Sequence, residues 1–426
     1  MIIIDTALAK REQEGNPIRV GLVGAGYMGR GIALQIEQYI TGMSVVAISN
    51  RTLSEAERAY REAEVNTIKT VTTVAQLEDS IKGGHQAITD DPMLLCAADG
   101  IDAIIEATGH VEFSAHVVMK AIDNRKHVIL MNAELDATVG PILKVYADRA
   151  GVIITNADGD QPGVMMNLFR FVKTIGYQPV LSGNIKGLQD YYRTPETQKG
   201  FAEQHNLTPQ MATAFADGTK ISMENAVVAN ATGFKVGKRG MYGPRCAHVN
   251  EALKLFPVDQ LLNGGLVDYI LGAEPGPGVF ILGYNEHPVR QQYMKYFKMG
   301  EGPLYVFYVP YHLPHLEAPL TAARAALFRD AAIAPLAGPV CEVITIAKRD
   351  LTAGEVLDGI GGFTCYGTIE NSNICKDETL LPMGLSEGCR LKRDIAKDQA
   401  VAYADIELPQ DRLCDKLSTE QQAYFE

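Results

Sequence analysis

The chain lacks what a membrane or secreted protein would carry. Among its 426 residues no run approaches the roughly 18 apolar residues that a membrane span needs. Its amino terminus, with Asp5, Lys10, Arg11 and Glu12, lacks the basic-then-apolar order of a secretory signal. Cysteine is scattered: the seven residues Cys96, Cys246, Cys341, Cys365, Cys375, Cys389 and Cys414 form no Cys-x-x-Cys pair, so neither a disulfide framework nor a zinc cage is indicated. Positive charge is also in deficit. Lys and Arg number 39 against 51 Asp and Glu, a net charge of −12, which argues against non-specific binding to a phosphate backbone. The expectation is a soluble, cytoplasmic protein with reduced thiols and with neither nucleic acid nor membrane as partner. At 46% hydrophobic and 21% charged, the chain has core enough for two or three domains.

What is present is organised around Arg19-Val20-Gly21-Leu22-Val23-Gly24-Ala25-Gly26-Tyr27-Met28-Gly29-Arg30. Its first half is apolar, as a buried parallel strand should be; its second half carries a Gly-x-Gly-x-x-Gly spacing where a helix would begin. Gly24 permits the tight turn, Gly26 lets a pyrophosphate approach the backbone, and Gly29 lets the helix pack against the strand, with its N-terminus facing the phosphates. The helix follows, with Ile32, Leu34, Ile36 and Ile40, and then the strand Ser44 to Ser49. This context predicts a dinucleotide-binding βαβ unit with Gly24, Ala25, Gly26, Tyr27, Met28 and Gly29 as its phosphate turn. At the end of the second strand, where an NAD-preferring fold places a carboxylate on the ribose, the chain has Asn50 and Arg51. Those two suit a 2′-phosphate, so NADPH is the expected cofactor.

Further strands are expected at 101–105, ending in Glu106-Ala107-Thr108-Gly109, at 127–132 and at 152–155. Thr108, Gly109 and Asn132 then lie at the carboxyl edge of the sheet and join the cofactor candidates. Residues 83–95 read as a loop with Asp90-Asp91-Pro92 as a helix cap, and Asp160 reads as the cap of a helix over 164–172. From about 175 to 340 the βα rhythm breaks. There Lys186 ends an apolar strand and is followed by a turn and Asp190, a placement that favours a catalytic or substrate role over a structural ion pair. Lys220 and Glu224 sit one helical turn apart, either as a surface pair or as part of the site, and Asn225 follows among small apolar residues. The glycine-spaced loop 233–245 contains Lys235, Lys238, Arg239 and Arg245, and reads as an anion site or as a solvated basic loop. His312 and His315 stand between prolines that forbid a regular helix, and read as core histidines in preference to metal ligands. An Ala-rich helix is expected over 321–334.

The last segment contains an internal repeat: Ala347-Lys348-Arg349-Asp350-Leu351 aligns with Leu391-Lys392-Arg393-Asp394-Ile395, each followed by short alternating stretches. The whole is therefore expected to be α/β, with an N-terminal doubly wound Rossmann domain over 1–160. A middle α/β (α+β) catalytic and dimerisation domain over 161–340 and a small β module over 341–426 complete it.

The glycine turn and Glu106-Ala107-Thr108-Gly109 are similar to the cofactor domain of homoserine dehydrogenase-like oxidoreductases. The Lys-Arg-Asp repeat resembles the SAF module, a β-clip fold. The combination, covering nearly the whole chain, resembles the 1-deoxy-D-xylulose-5-phosphate reductoisomerase-like family. That resemblance implies rearrangement of a ketose phosphate followed by NADPH reduction to 2-C-methyl-D-erythritol 4-phosphate, a step of isoprenoid precursor synthesis, in a homodimer. Under it Lys186 is the electrophile or proton-transfer residue, Asp190 and Glu224 the carboxylates, Lys220 and Asn225 orienting groups, and Lys238 and Arg239 the substrate-phosphate contacts. The middle region has no tight Asp-x-Glu pair, so the metal ligands stay unassigned and Mg²⁺ or Mn²⁺ is implied by the chemistry alone. The alternatives are a homoserine dehydrogenase-like alcohol or aldehyde oxidoreductase and an NADPH-binding regulator.

Overall fold

The structure, a computed structural model, describes residues 3–426. Packing divides the chain into two units. The first comprises Met1–Asp160, Leu313–Ala334 and Lys416–Tyr424; the second comprises Gln161–His312, Pro335–Asp415 and Phe425–Glu426.

In the first unit seven strands form one sheet: β1 (Ile18–Val23), β2 (Met43–Ser49), β3 (Ile68–Thr70), β4 (Gln86–Thr89), β5 (Ala103–Glu106), β6 (His127–Leu130) and β7 (Ile154–Asn156). The order is β3-β4-β2-β1-β5-β6-β7 and every pairing is parallel. Val20, Leu22, Val45, Ile48, Ile105 and Ile129 are fully buried, because helices cover both faces of a parallel sheet. The chain leaves β1 toward β2 on one side and returns to β5 on the other, so the carboxyl ends of β1 and β5 flank the switch point of a doubly wound fold.

Two local expectations are corrected. The 83–95 stretch is not a loop, since it holds β4 and the start of helix Pro92–Ala97, although Asp91 does cap that helix by accepting from the Met93 N–H at 2.9 Å. The Ala-rich helix is Pro314–Phe328 instead of 321–334. Pro314 occupies its first turn, where a missing N–H costs nothing, and Arg329 ends it in a left-handed conformation with φ 52°. His315 is therefore helical, and its ring sits so close to Gly31 that a Cβ there would lie 2.8 Å from it.

The second unit is built on a mixed sheet of β8 (Gln178–Lys186), β9 (Leu266–Leu271), β10 (Gly278–Tyr284) and β11 (Leu304–Val309), in the order β11-β10-β8-β9. β8 and β9 run parallel, and the other pairs are antiparallel. Helices Gln161–Thr174 and Thr219–Thr232 pack on this sheet. Phe280, Leu181, Ile270 and Leu282 fill its core.

The C-terminal segment adds the antiparallel pair β12 (Cys341–Ala347) and β13 (Cys365–Asn371), followed by short irregular strands. Its two Lys-Arg-Asp copies meet about a pseudo-two-fold axis. Leu351 and Ile395 exchange backbone hydrogen bonds of 2.9 Å in both directions, Asp394 accepts from Ala353 N at 2.8 Å, and Asp350 accepts from Lys397 N at 2.8 Å. Gly354 and Asp398 occupy equivalent positions, and both have positive φ.

The basic loop 233–245 is clamped against β13 and the residues beyond it. Val236 and Asn371 exchange hydrogen bonds of 3.1 and 3.0 Å, Gly240 N donates to Ile369 O, and Arg239 binds Glu370 and Glu378, each at 2.8 Å.

Candidate active site

The first unit carries a candidate cofactor site at the turn after β1. Gly24 has φ +101°, and a Cβ there would lie 2.8 Å from Ala107 O and 3.2 Å from Thr108 Cγ2, so the loops after β1 and β5 touch. A Cβ on Gly29 would lie 2.1 Å from Gly24 O, which closes the helix onto the turn. Gly26 differs from both: a Cβ on it would meet nothing within 4 Å. It is also the N-cap of helix Tyr27–Tyr39 and supplies no side chain to the helix donors. Open space at the Cβ position of the residue that caps the helix N-terminus leaves the backbone there approachable by a pyrophosphate, so these residues fit a dinucleotide.

Asn50 braces the turn by accepting from Ala25 N at 3.1 Å and donating to Thr52 O at 2.9 Å. Its amide is thus committed inside the protein, while Arg51 is exposed at the end of β2. Thr108 and Asn132 meet at the buried carboxylate of Glu106, and Gly109 has φ +76° with open space at its Cβ position.

The second unit carries a polar cluster of its own. Lys186 ends β8, and strand alternation puts Asn184 on the same face of the sheet. Lys186 Nζ donates to Gln161 Oε1 and, at 3.1 Å, to Glu224 Oε2. Asn184 Nδ2 reaches the same two acceptors at 2.8 and 3.0 Å, and Asn225 Nδ2 donates to Asn184 Oδ1 at 2.7 Å. Gln161 Nε2 in turn donates to Gly278 O at 3.2 Å. The Glu224 side chain is 4% exposed and that of Lys186 21% exposed. This buried polar chain therefore reaches solvent along the lysine side chain.

Of the residues expected in the middle region, Lys186, Glu224 and Asn225 come together. Asp190 pairs with Arg193 at 3.0 Å and accepts from Tyr192 N. Lys220 is half-buried on the helix of Glu224, whose Oε2 is turned to Lys186 and Asn184. Lys238 lies over the Tyr242 ring at 5.5 Å. A phosphate at this loop would compete with both Glu370 and Glu378 for Arg239. Sequence reasoning missed Asn184, whose signal was its two-residue spacing from Lys186, and Gln161, which only the fold brings to the lysine. Among the described residues no group of three or more His, Cys, Asp or Glu is placed to hold a metal ion.

By architecture the first unit is a doubly wound fold of the Rossmann type. Residues 159–318, which include Gln161, Lys186 and Glu224, match the family described as oxidoreductase DRL, catalytic domain. The chain is similar to homoserine dehydrogenase of Neisseria gonorrhoeae, 23% identical over 207 residues, which is 47% of this chain and 43% of that protein. Inositol 2-dehydrogenase 4 of Saccharopolyspora erythraea is 36% identical over 95 residues, 21% of this chain and 28% of that one. The chain thus spans less than half the length of these curated relatives. Among solved structures, a probable dehydrogenase from Thermotoga maritima aligns with a TM-score of 0.38 at 16% identity, over 63% of this chain and 73% of that chain. Scyllo-inositol dehydrogenase from Lactobacillus casei, solved with NAD(H) and scyllo-inositol, gives 0.37 at 16% identity, over 63% and 74%.

Proposed function

We propose that the protein is an NADPH-dependent oxidoreductase acting on a small phosphorylated hydroxy-carbonyl substrate, with 1-deoxy-D-xylulose 5-phosphate as the first candidate and rearrangement coupled to reduction as the reaction. The observation that carries the proposal is the state of Lys186. Its ammonium has three donors, Gln161 and Glu224 accept two, and the side chain is 21% exposed, which leaves the third donor for a substrate oxygen. The match of residues 159–318 to the DRL catalytic domain supports this reading.

A bound nicotinamide supplies hydride to a carbonyl carbon. Lys186 stabilises negative charge on the carbonyl oxygen and delivers a proton to it, and Glu224 aims the lysine. For the rearrangement, Lys186 and Glu224 hold and exchange the hydroxyl protons. Gly26 with the helix N-terminus receives the pyrophosphate, and Arg51 receives the 2′-phosphate.

The test is oxidation of NADPH with 1-deoxy-D-xylulose 5-phosphate, with and without Mg²⁺ or Mn²⁺, with Lys186→Ala as control. Substrate-dependent turnover lost in the variant supports the proposal, and the metal series decides the cation. A protein that binds NADPH but turns over under none of these conditions excludes that substrate. A second reading, a homoserine dehydrogenase-like oxidoreductase on an unphosphorylated alcohol, is favoured by the engagement of Arg239 with Glu370 and Glu378. Full activity after charge removal at Lys238 and Arg239 would support it.

A further inference from the structure

At the carboxyl end of β5, Glu106 is completely buried, and burial pushes its carboxyl above the ordinary range. A carboxylate fully withdrawn from water persists only where hydrogen bonds replace its hydration. Its partners are neutral groups from the two loops that follow β5 and β6. Oε1 accepts from Thr108 N at 2.9 Å and from the Thr108 hydroxyl, and Oε2 accepts from Asn132 Nδ2 at 2.9 Å. Ser114 Oγ closes the cage, 3.0 Å from both Thr108 Oγ1 and Asn132 Nδ2.

Each bond fixes the next. Because Nδ2 of Asn132 is held by Glu106, its Oδ1 faces the other way and caps helix Ala133–Ala150 through Leu135 N at 3.0 Å. Because Thr108 N and Oγ1 are both held, the backbone leaving β5 is set before Gly109, in the loop that lies against Gly24.

We infer that Glu106 is a positioning residue for the nicotinamide nucleotide: its carboxylate orients Thr108 and Asn132 at the edge of the sheet where the cofactor's nicotinamide half is received. The inference rests on the dinucleotide reading of the first unit. Only a group with acceptors alone can do this work. A glutamine at 106 presents an NH₂ either to Asn132 Nδ2 or to Thr108 N, and a buried donor then loses its partner. Asn132 can rotate to meet it only by releasing Leu135 N.

The experiment is a fluorescence titration of NADPH against the full-length wild type, Glu106→Gln and Thr108→Val, with a melting curve of each. Thr108→Val keeps the side-chain shape and removes one hydroxyl, so it tests the cage even where Glu106→Gln does not fold. In folded Glu106→Gln the Kd for NADPH should rise about tenfold, and in Thr108→Val about threefold. KM for NADPH should rise in parallel, with kcat at saturating NADPH little changed. A role confined to stability would lower the melting temperature and leave Kd and KM of the folded protein unmoved. A folded variant with the wild-type Kd overturns the inference. A wild type that binds neither NADPH nor NADH overturns the dinucleotide reading, and the inference with it.

Discussion

Lys186 Nζ lies 3.1 Å from Glu224 Oε2, an oxygen that also accepts from Asn184 Nδ2 at 3.0 Å. One carboxylate oxygen therefore fixes the direction of both the lysine and Asn184. Glu224→Gln keeps the shape and, with its nitrogen at the Oε2 position, confronts two donors with a third. Turnover should fall about 10- to 100-fold, on the scale of a misplaced proton-transfer group. NADPH affinity should stay at the wild-type value, because Glu224 belongs to the unit without the glycine turn. Steady-state rates beside a nucleotide titration check both halves. Wild-type turnover in Glu224→Gln would mean that the carboxylate does not aim Lys186.

The three motif glycines separate into structural and ligand-facing positions. A methyl on Gly29 collides with Gly24 O at 2.1 Å, while a methyl on Gly26 meets open space at an ordinary negative φ. Gly29→Ala should cost about 2 kcal/mol or more of stability, as other overpacked sites do. Gly26→Ala should melt within a few degrees of the wild type yet bind NADPH about tenfold or more weakly, because the methyl occupies the space the pyrophosphate needs. Unchanged binding by Gly26→Ala would move the nucleotide away from this turn.

The glycine turn was legible because steric rules fix which positions must be glycine, and those rules act over a few residues. Lys186 was legible for a similar reason: a lysine at the end of an apolar strand stands out locally. Gln161 was not, since its meaning depends on a lysine on another element and it looks like any polar residue before a proline. The basic loop shows the same limit. Its four cations are plain in the sequence, but the partners of Arg239 lie on and just beyond β13, so clamped and solvated forms read alike. β4 was lost for lack of length, with four residues and no alternation to mark it. The Lys-Arg-Asp repeat announced itself by three identical residues at the head of each copy, while its two-fold pairing became visible only in the hydrogen bonds between Leu351 and Ile395.

Asp136 offers a test by pH. It is buried in helix Ala133–Ala150, accepts from Asn156 Nδ2, and its carboxyl is pushed up to about 7 by burial. An acid whose folded pKa lies above its unfolded value of 3.8 binds more protons in the native state across that interval. Native stability is therefore lost as pH rises from about 4 to about 7 and is flat above. Asp136→Asn keeps an acceptor for Asn156 and has no charge to bury. The variant should gain on the wild type by about 1–3 kcal/mol between pH 4 and pH 8. Urea midpoints at both values measure it, and a pH-independent difference would show that Asp136 titrates normally.

The repeat supplies a control within the molecule, because its two lysines occupy equivalent places with opposite surroundings. Lys348 is buried and donates to Asp217 Oδ2 at 2.9 Å and to the carbonyls of Arg193 and Gly362, each at 2.8 Å. Lys392 is exposed. Asp217 is fully buried and also accepts from Thr219 N at 3.0 Å, so the pair anchors the start of the helix that carries Glu224. Removing one member of such a pair leaves the other buried without its countercharge, at a cost of about 3–5 kcal/mol. Lys348→Met should lose about that much, while Lys392→Met should stay within about 0.5 kcal/mol of the wild type. The double variant Asp217→Asn with Lys348→Met should recover part of the loss, because no isolated charge is left behind. Equal unfolding midpoints for the two single variants would mean that the buried pair contributes nothing and that the repeat is held by its backbone hydrogen bonds alone.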